Sequence, residues 1–168
     1  MTLNNDALIK KDRLRYTKNK LSANLTYLSI VCNVIYFVSL YSSDIKRYDA
    51  VGKSYYMWMM GISVLYNLIF MLISFLCSEG VKGYSIGHGY TLMVVGAIQI
   101  GRIFIWPMQL HSTTTTDGLV MQDDQFLRCI IYLVASAAIS ILAGVIAVLK
   151  TTTLRNYEAE LKRRGGQS

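Results

Sequence analysis

Ionised side chains are missing from most of this chain. They make up 16% of its 168 residues, against about 25% in an ordinary soluble domain. The shortage is local. Leu21 to Ser43, Ser54 to Ser78 and Cys129 to Leu149 contain no Asp, Glu, Lys or Arg, and Gly83 to Thr116 contains only Arg102. Each run reaches the roughly 20 residues a helix needs to cross hydrocarbon at about 1.5 Å per residue. In lipid the backbone must satisfy its own polar groups, so helices are expected; none of the runs alternates apolar and polar residues as a barrel strand does.

The other scarcities exclude chemistry. There is one proline, Pro107, which argues against a disordered Pro-rich chain. The three cysteines, Cys32, Cys77 and Cys129, fall at different depths with no C-x-x-C spacing, so neither a disulfide nor a thiol-bound metal is expected. The two histidines, His88 and His111, stand at opposite ends of the third run, too far apart to share a metal. With no carboxylate in any run, an acid dyad and a proton-relaying carboxylate are both ruled out, and no P-loop or dinucleotide fingerprint occurs. The expectation is a non-enzymatic protein without cofactor or metal.

What is present predicts an all-α integral membrane protein. Four transmembrane helices, at about 22–42, 55–77, 88–109 and 127–149, would form an antiparallel bundle over residues 21–149. A basic tail lies on either side, 1–20 and 150–168. The first run is too long for a signal-peptide core and lacks a small-residue cleavage site, so it is read as a retained span. Twelve of the 17 Lys and Arg fall in the two tails and at Lys82, while Lys46, Arg47, Lys53 and Arg128 lie on the other side. That bias places both termini in the cytoplasm. The wealth of Lys, Asn, Tyr and Ile suits an AT-rich bacterial genome, hence a bacterial cytoplasmic membrane. The tails would attract anionic lipid, at about 1 kcal/mol per basic residue. Basic tails beside apolar spans are not the footprint of a nucleic-acid reader. Leu3, Ala7, Leu14 and Leu21 could line one face of a short amphipathic helix. Ser54 and either Asp123 or Asp124 suit helix N-caps. The third loop, "HSTTTTDGLVMQDDQ", suggests a small β-hairpin turning at Asp117-Gly118.

Each span carries a polar group near its middle. "SIVCNVIY" from Ser29 and "SVLYNLIF" from Ser63 align Asn33 with Asn67, while Gln99 sits mid-way along the third span and Ser136 and Ser140 along the fourth. This layer reads as interhelical glue or as a site for a polar solute. Ser136, Ser140 and Gly144 recur at i, i+4, i+8, and Ala97 and Gly101 form a second small-residue pair. These two faces would pack on each other or on another protein.

Arg102 is the exception among the apolar runs. It would either snorkel roughly 6–10 Å to the headgroups or be neutralised by a lipid phosphate, a bound anion, a third-loop aspartate or a carboxylate of another subunit. Gln99 shares its face at i, i+3, and Arg102 with Gln99 forms the expected contact for a partner or an anion. The function read from the residues is an accessory or scaffolding subunit of a larger membrane complex such as a transporter. That subunit would sit in the bilayer against another membrane protein. The alternative is a self-associating carrier for a small anion or polar solute, using the polar layer and Arg102.

Overall fold

The chain forms α1 (Lys20–Tyr41), α2 (Lys53–Lys82), α3 (Ile86–Ile105), a short α4 (Pro107–Ser112) and α5 (Asp123–Gly165). Between α4 and α5, two-residue stretches β1 (Thr114–Thr115) and β2 (Gly118–Leu119) pair in opposite directions. This is a computed structural model, and it describes residues 9, 12–13, 16–41, 53–112, 114–115, 118–119 and 121–165, without the side chains of 53–56, 114–115, 118–119 and 164–165. Four segments are long and apolar enough to cross a membrane: α1, α2, α3 with α4, and α5.

The helix ends differ from the sequence expectation in four places. α2 continues to Lys82, beyond residue 77, where Glu79 and Lys82 pair across its last turn and Tyr27 donates to Glu79 at 2.8 Å. The third span is interrupted. Pro107 has no N–H, and its ring clashes with the carbonyl four residues back, so α3 stops at Ile105 and α4 starts afresh. α5 has 43 residues, about 65 Å at the usual rise, so the helix runs past Leu149 into the basic segment after it. Ser54 lies inside α2, while Asp123 and Asp124 occupy the first turn of α5, facing its dipole from within rather than from the cap. In the β1–β2 ladder Gly118 pairs with Thr115, so the connection covers 116–117, outside the described residues, and Gly118 belongs to the ladder rather than to a turn. Leu3, Ala7 and Leu14 of the expected amphipathic helix also lie outside the described residues.

The interior is layered, and α1 and α5 run through all three layers. At one end Ala23, Cys77, Val81, Leu92, Ala143 and Ala147 form an apolar cluster. At the other, Tyr36, Leu40, Trp106, Leu110, Met121, Cys129 and Leu133 form a second. Between them lie buried Ser29, Asn33, Asn67, Gln99, Ser136 and Ser140. Small residues bring α5 close to both α1 and α3. Ser22 donates to the Ala143 carbonyl at 2.7 Å, Ser29 to that of Ser136 at 2.7 Å, and Ser140 to that of Leu92 at 3.0 Å. α2 packs on α1 and α3. The outer surface reverses this pattern, with Val31, Val38, Leu65, Leu72, Val94, Phe104, Ile131 and Leu142 all exposed.

The face of α5 that carries Ser136, Ser140 and Gly144 is buried as expected, but its partner on α3 is not Ala97 and Gly101. Both of those are exposed, and the space around Gly101 is open. The α3 stripe that turns inward runs through Gly89, Leu92, Gly96 and Gln99, and position 97 lies about 100° around the helix from it. A Cβ on Gly144 would stand 2.6 Å from the Gly89 carbonyl oxygen, and one on Gly96 would stand 2.7 Å from the Ile141 side chain. Gly144→Val therefore forces α3 and α5 apart. The expected loss is about 1–3 kcal/mol, read as a lower midpoint of thermal unfolding in detergent, while Gly101→Ala leaves the midpoint unchanged.

Candidate functional site

Arg102 sits in the last turn of α3 with its side chain turned into the bundle, 6% exposed. Its Nη1 donates to Asn67 Oδ1 at 2.9 Å and to Asn33 Oδ1 at 3.4 Å, and its Nη2 donates to Ser63 Oγ at 3.0 Å. Its Cζ lies over the rings of Tyr66 and Tyr36, 4.5 and 4.8 Å from their centroids. All five partners come from α1 and α2. The i, i+4 spacing of Ser63 and Asn67 puts both on the α2 face that looks at α3.

The asparagines are held so that their oxygens meet these donors. Asn33 Nδ2 donates to Asn67 Oδ1 at 3.0 Å, and Asn67 Nδ2 donates to the Ser63 carbonyl at 2.8 Å. Gln99 Nε2 donates to Asn33 Oδ1 at 2.8 Å and reaches Ser136 Oγ at 3.5 Å. Ser136 in turn bonds Ser29. The alignment of Asn33 with Asn67 thus becomes a direct contact. Ser29 pairs with Ser136, however, and Ser63 with Arg102. Ser140 bonds the Leu92 carbonyl rather than joining the network. Sequence reasoning overlooked Tyr36, Tyr66 and Ser63 as partners of Arg102; their signal was a ring and a hydroxyl one turn from the asparagines, Tyr36 and Ser63, and a second ring, Tyr66, beside Asn67.

Two features of this arrangement bear on chemistry. First, the charge is solvated but not neutralised. Charge-assisted hydrogen bonds contribute about 1.5–3 kcal/mol each and desolvated cation–π contacts about 2 kcal/mol, against several kcal/mol for removing an ion from water. Among the described residues no carboxylate pairs with Arg102, and the three hydrogen bonds leave two of its five N–H donors unspent. The Tyr36 hydroxyl and Gln99 Oε1 are also buried without a partner. Second, a cavity of about 120 Å³ lies against the guanidinium between α2 and α3. Ser63 and Arg102 lie on its floor, with Met59, Ile62, Tyr66, Ile98, Ile105 and Trp106 around them.

The expectation that Arg102 and Gln99 present a face to another subunit is corrected by this geometry. Gln99 is 0% exposed and Arg102 nearly so, because the inward stripe of α3 includes positions 92, 95, 96, 99 and 102. For the same reason the guanidinium does not snorkel outward; three of its donors are engaged by side chains in the middle of α1 and α2. The histidines stay apart: His88 bonds Ser85, and His111 stacks on Phe126 at 4.2 Å. No group of His, Cys, Asp or Glu among the described residues could hold a metal.

Asn67→Leu removes the strongest acceptor from a buried charge and is expected to destabilise by about 3–5 kcal/mol. In an Arg102→Met background the same change should cost less than half as much. A double-mutant cycle on thermal unfolding measures the coupling, and additive effects would contradict the network. Tyr36→Phe removes an unpaired buried hydroxyl and leaves stability unchanged or slightly higher. No protein-family model, curated protein or solved structure matches this chain.

Proposed function

We propose that this chain is a non-enzymatic, multi-pass membrane protein that holds an anion at Arg102, inside an antiparallel four-helix bundle with both tails in the cytoplasm. The membrane reading is supported by the inverted surface: large apolar side chains outside, and serine, asparagine, glutamine and arginine inside. In water that distribution would forfeit the hydrophobic driving force, and in lipid it is the favoured one. The threading is supported by one end of the bundle. There the Asn19 N–H donates to the Lys82 carbonyl at 3.3 Å, and Lys150 Nζ donates to Asn19 Oδ1 at 3.2 Å. The start of α1, the end of α2 and the polar limit of α5 therefore meet at one level, where the basic residues collect.

The observation that carries the anion reading is a buried guanidinium held by neutral oxygens and ring faces, with donors to spare beside a cavity. At 4 Å, an anion gains about 4 kcal/mol at an effective dielectric near 20, on the order of a thousandfold in affinity. The accessory-subunit reading drew on an outward Arg102 and Gln99; with that face turned inward, a bound anion accounts for the residue better than a partner's carboxylate. Self-association and anionic lipid around the basic tails are compatible with it.

The test is thermal unfolding of the purified chain in neutral detergent against chloride, inorganic phosphate, and short- and long-chain carboxylates. At saturation, at least one class should raise the wild-type midpoint by roughly 5–10 °C and leave Arg102→Gln unmoved. Equal responses of the two proteins to every anion would overturn the proposal.

A further inference from the structure

The walls of the cavity specify more than a negative charge. Its floor, Arg102 and Ser63, is buried, as is Trp106 beside them. Its rim is formed by Ile62, Ile98 and Ile105, exposed by 58%, 52% and 63% on the outer apolar surface of α2 and α3. The opening therefore runs sideways, from the face that meets lipid to the guanidinium. Apart from Ser63, Tyr66 and Arg102, every lining residue is apolar or, in Trp106, aromatic. A small hydrophilic anion would have to shed its water among isoleucines before reaching any donor, with nothing on the way to replace that hydration. An anionic headgroup on an apolar chain meets no such barrier, because its chain stays among the exposed side chains of α2 and α3 while the headgroup enters the cleft.

Resting on the anion reading above, we infer that the ligand is an amphiphilic anion, a carboxylate or phosphate borne on an acyl chain, which enters laterally between α2 and α3. The two unspent N–H donors of Arg102 meet the headgroup, and Ser63 Oγ lies beside it. Ile62, Ile98 and Ile105 contact the first carbons of the chain. The neutral asparagines behind the guanidinium keep its charge undiminished for the headgroup.

Trp106 provides the readout. The chain has two tryptophans, Trp58 and Trp106, so Trp58→Phe leaves a single fluorophore at the cleft. Full-length Trp58→Phe protein in vesicles of a neutral phosphatidylcholine is titrated with a dibrominated long-chain carboxylate, whose bromines quench on contact, and with its uncharged methyl ester. Monoacyl phosphate, inorganic phosphate and acetate serve as competitors. The acid should quench saturably at concentrations at least about tenfold below the ester. Monoacyl phosphate should reverse the quenching, and inorganic phosphate and acetate should not. Arg102→Gln should abolish the difference between acid and ester. Ile98→Phe, which fills the rim and leaves the Arg102 hydrogen bonds in place, should abolish it too, so the outcome does not hang on one variant that fails to fold. Equal quenching by acid and ester in the parent protein overturns the amphiphile inference. If inorganic phosphate or acetate still stabilises wild type over Arg102→Gln, the anion reading survives that result; if no anion discriminates, both fall.

Discussion

The constraint on which this fold turns is a permanent positive charge enclosed where, among the described residues, no carboxylate meets it. Arg102 makes its hydrogen bonds only to side chains of α1 and α2, namely Asn33, Asn67 and Ser63, and the rings above it, Tyr36 and Tyr66, come from the same two helices. A guanidinium in such a place costs several kcal/mol unless every nearby dipole is turned toward it. That requirement fixes the register of α2. Sliding α2 by one residue would carry Ser63 and Asn67 together off the face that looks at α3, since side chains move about 100° per residue. Apolar packing alone would tolerate several registers; the buried polar contacts select one.

The four long helices are held by two kinds of force. α5 approaches α1 and α3 through glycine, alanine and serine, where backbone carbonyls come close enough to accept hydrogen bonds from Ser22, Ser29 and Ser140. Gly89, Gly96 and Gly144 make room for that approach. α2 meets α3 through Met59, Ile62, Ile98 and Ile105. Bulky side chains at such positions, three of them stiff isoleucines, keep the helix axes apart and leave a cleft where glycines would have closed it. The cleft and the charge thus belong to the same junction, where α2 faces α3 through polar groups and large side chains.

The sequence made the helices legible because charge exclusion over 21 to 25 residues has few other causes. It also aligned Asn33 with Asn67, two residues now found in contact. Rotation was not legible. Ala97 and Gly101 obey the same i, i+4 spacing as Ser136 and Ser140, yet they point outward, because four long apolar stripes of similar hydropathy give no sign of which stripe turns inward. In a soluble helix the polar side marks the exterior; here Gln99 and Arg102 mark the interior, and the direction of Arg102 followed only once α1 and α2 were seen to offer oxygens. Where helix propensity outruns hydropathy, the end of a span and the end of its helix part company. Residues 150–165 are polar, so hydropathy ends the span at Leu149, but "NYEAELKRR" contains strong helix formers and no proline to stop the turn from repeating.

Neutral partners for a buried cation are a costlier arrangement than a buried carboxylate would be, and the difference bears on function. A resident aspartate would neutralise Arg102, occupy its donors and cancel its field. Asparagine and serine oxygens orient the guanidinium and offset part of its desolvation while leaving the unit charge intact, and the tyrosine faces add attraction without adding an anion. The bundle therefore forgoes stability that one acidic residue at position 63 or 67 would supply. What it retains is an unneutralised positive charge at the floor of an apolar cleft, which under the proposed function stands ready for an anion. On that proposal, the stability forgone at Arg102 belongs to the ligand site, where local rules of stability are the ones most often broken.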